Sequence, residues 1–141
     1  MAGFFTELME RPATASTRLS RYTERCGYFY GLLGLSFLLF PSGQAQLGLL
    51  APFEGQEEAM MRIIGFVLCL IGYFYVFGGR THQTSFGLAT VLDRLLVPFV
   101  FLFIYQVSEV ELMLILPIAI MDPLLGLGAY ACWRKDQQQS P

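Results

Sequence analysis

Residues 112–133 read LMLILPIAIMDPLLGLGAYACW, a run that is apolar except for one acid, Asp122, near its centre. As a helix rising about 1.5 Å per residue it covers about 33 Å, enough to cross a hydrocarbon core of about 30 Å. Asp122 then lies near mid-membrane, where a carboxyl facing lipid costs a few kcal/mol. The positions that share its helical face include Ile115, Ile118, Ala119, Leu125, Gly126 and Ala129. Three of these are small, and small residues let membrane helices approach one another closely. The acid-bearing face is therefore expected inside a bundle. Pro117 and Pro123 each remove a backbone donor beside the acid, which leads us to expect a kink with free carbonyls there.

Working outward, the whole chain of 141 residues is 55% hydrophobic and 14% charged. That balance lies outside the range of an ordinary soluble domain and places the chain among membrane proteins. Its net charge of −2 gives no reason to expect a nucleic-acid partner. Cys26, Cys69 and Cys132 stand apart, without the paired spacing of zinc sites, haem attachment or disulfide frameworks, so no metal is expected.

Three further spans precede the last, at about 22–40, 61–77 and 87–106. The chain is therefore expected to be all-α, an integral membrane four-helix bundle over 22–133. Residues 1–21 form the N-terminal segment and 134–141 a tail. Phe4, Phe5, Leu8 and Met9 against Glu7, Glu10 and Arg11 read either as a short interfacial helix or as a frayed end. Ser16 or Thr17 can cap the first long helix. A cleavable signal peptide competes for this region, because basic residues precede an apolar run followed by small polar residues. Gly27, Gly31 and Gly34 line one face of the first span, and Gly65 and Gly72 one face of the second. With Gly126 they are expected to serve helix packing. The apolar patch 47–53 is too short to span and is expected either to lie at the interface or to cap the outer mouth of the bundle.

Charge sets the orientation. Arg11, Arg18, Arg21, Arg25, Arg80, Arg94, Arg134 and Lys135 fall at one set of ends, whereas Glu54, Glu57, Glu58, Glu109 and Glu111 fall at the other. Cations collect on the cytoplasmic side, which places both termini there. Depth along the helices brings Arg94 within reach of Asp122, with Asp93 as a further acceptor. Arg62 starts at the far surface. An Arg94 to Asp122 contact is therefore expected, either as a polar ligand site or as a buried pair that fixes packing. The aromatic end of the second span, Tyr73 to Phe77, reads as a headgroup girdle, and His82 as a solvated turn residue.

Taken together, the segments RIIGFVLCLIGYFYVFGGR, LDRLLVPFVF and IMDPLLGLGAYACWRKD resemble the small four-span bacterial membrane proteins of the DoxX-like families. The resemblance covers about 61–135, with Arg62, Arg94 and Asp122 at matching positions. It implies a compact four-helix bundle and, for some members, an association with quinone or redox chemistry. The proline beside Asp122 and the long acidic first loop depart from the pattern. No nucleophile, phosphate-loop or metalloprotease motif is present, so enzymatic activity is not expected. The reading that follows is a multi-pass protein of the bacterial inner membrane, an accessory or interaction subunit with membrane lipids, a membrane-protein partner or a further copy as company. The alternative is a module that binds or transports a quinone-like or lipid-like ligand at an Arg/Asp site.

Overall fold

A computed structural model describes residues 15–48 and 50–139, and the expected interfacial helix at the extreme N-terminus lies outside them. Five helices follow one another: α1 (Arg18–Leu39), α2 (Gly43–Gln46), α3 (Glu57–Arg80), α4 (Thr84–Val107) and α5 (Leu112–Gln139). Four are long and α2 is a single turn, so the described residues are all-α with no strand. The helices outrun the spans read from hydropathy: α3 begins at Glu57, and α5 continues past Trp133 to Gln139. Hydropathy marks where apolar side chains begin, whereas backbone hydrogen bonding carries on into polar sequence. Both α4 and α5 continue through their prolines as unbroken helices.

Three of the four long helices, α3, α4 and α5, are long and apolar enough to cross a membrane. The expected first span does not join them, because the first half of α1 carries Arg18, Arg21, Glu24 and Arg25. Thr17 caps α1, its Oγ1 accepting from the Ser20 amide at 3.0 Å.

The helices pack as two pairs, α1 with α3 and α4 with α5, joined chiefly through α1 and α5. Glycine makes the first pair. The space beside Gly34 where a Cβ would stand is 2.6 Å from the Cys69 nitrogen, and that beside Gly65 is 2.6 Å from the Leu38 nitrogen. Gly27 and Gly72 repeat this two turns away, against Val76 and Gly31. The two backbones are thus in direct contact along an antiparallel seam, with glycine C–H groups directed at carbonyls across it. Gly31 itself borders open space. By contrast α3 and α4 touch little, although only residues 81–83 separate them.

At one end of the bundle the start of α1 meets the finish of α3 and α5. Asp136 accepts the amides of Arg18 and Leu19 at 3.1 and 3.0 Å, so a carboxylate from α5 fills the role of a cap for α1. Arg80 bonds Glu24 at 3.0 Å and the Tyr28 hydroxyl at 2.8 Å. At the other end the two connections meet, where Leu50, Ala51 and Phe53 face Glu109 and Glu111 across a cavity of about 410 Å³.

Candidate functional site

The site lies where the two helix pairs face each other. Arg94 projects from α4 and is 1% exposed, while Asp122 of α5 is 7% exposed. Gly126, one turn beyond Asp122, gives the arginine its room: a Cβ there would stand 3.4 Å from that of Arg94. The two charged residues are neighbours, yet no Arg94 to Asp122 pair within 4.0 Å exists among the described residues. The expected direct contact is replaced by a different arrangement. The Tyr30 hydroxyl of α1 donates to Asp122, and the Tyr75 hydroxyl of α3 donates to Asp93 at 2.5 Å. Each carboxylate is engaged by a phenol, and the guanidinium packs on the rings between them. Its carbon lies 4.8 Å from the Tyr75 centroid and 5.7 Å from that of Tyr30, and the two rings meet edge to face at 5.6 Å.

Cation–π contact stabilises a buried positive charge, but a ring face offers no lone pair in the plane of the N–H bonds. Nη1 donates to the Leu125 carbonyl at 3.4 Å. Nε and Nη2 are buried and reach no acceptor among the described residues. Buried donors are nearly always matched, and an orphan costs about 1–3 kcal/mol. Two on one guanidinium set Arg94 apart from the rest of the described interior.

Arg94, Asp93, Asp122, Tyr30 and Tyr75 all border one cavity of about 210 Å³, whose remaining wall is apolar, from Leu33, Leu68, Ile71, Val97, Ile118 and Met121. Phe74 and Asp93 are exposed, so the cavity is open on the side where α3 and α4 stand apart.

Protein-family models, curated proteins and solved structures were compared with the chain, and none matches it.

Of the residues singled out in the sequence, Arg94, Asp93 and Asp122 come together here. Arg62 does not. It is exposed near the opposite end, bonding the Leu38 carbonyl at 2.9 Å and Glu58 at 2.8 Å. No cluster of three potential metal ligands is found among the described residues. Tyr30 and Tyr75 are the residues that sequence reasoning missed, Tyr75 having been assigned to an interfacial girdle. A signal was present. The tetrapeptide Gly-Tyr-Phe-Tyr occurs twice, at 27–30 and 72–75. In each copy the second tyrosine stands three residues after a seam glycine and four before another, Gly34 or Gly79, and therefore on the buried face. The antiparallel seam relates the two copies and turns both rings onto Arg94.

Proposed function

We propose that the chain is a four-helix integral membrane protein of the bacterial inner membrane that binds a small lipophilic ligand, quinone-like or lipid-like, in the cavity between its helix pairs. The observation that carries this reading is Arg94, 1% exposed with Nε and Nη2 lacking an acceptor. A ligand oxygen would supply what the protein does not. The apolar wall suits a lipophilic body, and the opening between α3 and α4 suits entry from the bilayer. The apolar half of α1 lies against α3 with the two backbones in contact along the glycine seam, which suits a fourth helix held in the bilayer by its neighbour although its own apolar run is short. Arg18, Arg21, Arg25, Arg134 and Lys135 gather at the end where α1 starts and α5 finishes, which supports cytoplasmic termini.

An accessory-subunit role rests on composition and helix packing, and neither calls for a buried cation with orphan donors. Native mass spectrometry of the intact protein, released from its own membrane, tests the choice. A one-to-one small-molecule adduct that is absent from Arg94→Met supports ligand binding. A stoichiometric protein partner, with no adduct in either form, contradicts it.

A further inference from the structure

We propose that the ligand held at Arg94 is a long-chain fatty acid, its carboxylate gripped side-on by Nε–H and Nη2–H and its hydrocarbon chain leaving between α3 and α4. This rests on the ligand-binding reading above and narrows it to one chemical class. Which nitrogens are free decides the head group. Of the five guanidinium donors, the Nε–H and one Nη2–H point the same way, as the pair that meets both oxygens of a carboxylate. Nη1 is the nitrogen already engaged, by Leu125. A quinone with carbonyls at opposite ends of its ring offers this fork a single oxygen.

Charge points the same way. Both nearby carboxylates are held by tyrosine hydroxyls, and neither lies within ion-pair distance of Arg94 among the described residues. The buried cation thus lacks a contacting counter-ion, and an incoming carboxylate provides one. The cavity, about 210 Å³, is smaller than the roughly 300 Å³ at which sites begin to enclose a whole drug-sized ligand. It takes the head and the first part of a chain, and the rest lies along the exposed Phe74 in lipid.

Both free nitrogens are covered, so a ring must move to admit the head group. Tyr75 is the movable one: its hydroxyl is tied to Asp93 at the exposed edge of α4, whereas Tyr30 is tied to buried Asp122.

The test measures binding to the full chain in phosphatidylcholine nanodiscs with three probes: palmitate, hexadecanol and a decyl-substituted para-benzoquinone. Palmitate is expected to bind at least about tenfold more tightly than hexadecanol, and Arg94→Lys, which keeps the charge but loses the fork, to remove that preference. Tyr75→Phe, which unties the ring, is expected to strengthen palmitate binding. Equal binding of palmitate and hexadecanol, or tighter binding of the benzoquinone, overturns the carboxylate assignment and leaves ligand binding standing. Loss of palmitate binding when phosphatidylglycerol replaces part of the nanodisc lipid, with palmitate partitioning into the lipid unchanged, would assign the fork to an anionic phospholipid and overturns it too. If no probe binds and the native protein carries no adduct, both readings fall together.

Discussion

Replacing Arg94 with methionine separates a residue kept for a ligand from one kept for the fold. Methionine fills much of the same space and takes no charge into the interior. The change relieves two orphan donors at about 1–3 kcal/mol each, so about 2–6 kcal/mol is recovered. It removes two cation–π contacts, together about 2–4 kcal/mol when desolvated, and one long hydrogen bond to Leu125 of about 1 kcal/mol. The midpoints of gain and loss, about 4 kcal/mol each, cancel, and the ligand-free protein is expected to change by less than about 3 kcal/mol. At about 4 °C per kcal/mol for a chain of this size, the melting temperature moves by less than about 12 °C. Thermal unfolding in detergent, followed through the sole tryptophan, Trp133, gives the number. A structural ion pair would behave otherwise, because removing one partner strands the other at a cost of about 3–5 kcal/mol. A fall of 12 °C or more, taken from that same conversion as about 12–20 °C, or failure to assemble, would refute the reasoning.

Other substitutions test the scaffold and the tyrosines. Gly65→Ala places a methyl 2.6 Å from the Leu38 nitrogen and is expected to cost about 1–3 kcal/mol by forcing α1 and α3 apart. Gly31→Ala, which meets open space, should stay within about 0.5 kcal/mol in the same unfolding assay. Tyr30→Phe strips buried Asp122 of its donor and is expected to destabilise by about 1.5–3 kcal/mol. Tyr75→Phe should cost less, since Asp93 is exposed, and equal losses would contradict the asymmetry drawn between the two pairs. Asp136→Ala leaves the Thr17 cap but removes the carboxylate that accepts the Arg18 and Leu19 amides, and should cost about 0.5–2 kcal/mol. It should also speed hydrogen exchange at the Arg18 and Leu19 amides, and unchanged exchange there would show that the carboxylate does not hold them.

The helices and the identity of the charged residues were legible because both follow from local pattern. Apolar runs located α3, α4 and α5, Ser16 or Thr17 marked the start of α1, and glycine spacing marked the faces that meet. Asp122 announced itself by polarity against its surroundings. What remained hidden was pairing across helices. Depth counted along single helices placed Arg94 near Asp122, but it could not show that a phenol from a third helix reaches the acid first. Tyr75 was misplaced for a physical reason: an aromatic cluster at a helix end is the ordinary mark of an interface, and only rotation about the helix axis separates its buried ring from Tyr73 and Phe74, which are exposed. The repeated Gly-Tyr-Phe-Tyr carried that rotation, since glycine fixes the face and the tyrosine three residues on shares it. Arg62 stood beside Arg94 and Asp122 only as a matching position of the resemblance, and its depth already set it apart.

The most direct measurement is an experimental density map of the protein extracted together with its native lipids, inspected around Arg94. Elongated density entering between α3 and α4, with two oxygens at hydrogen-bond distance from Nε and Nη2, is the expected result. An empty cavity with Arg94 turned to pair with Asp122 would contradict it.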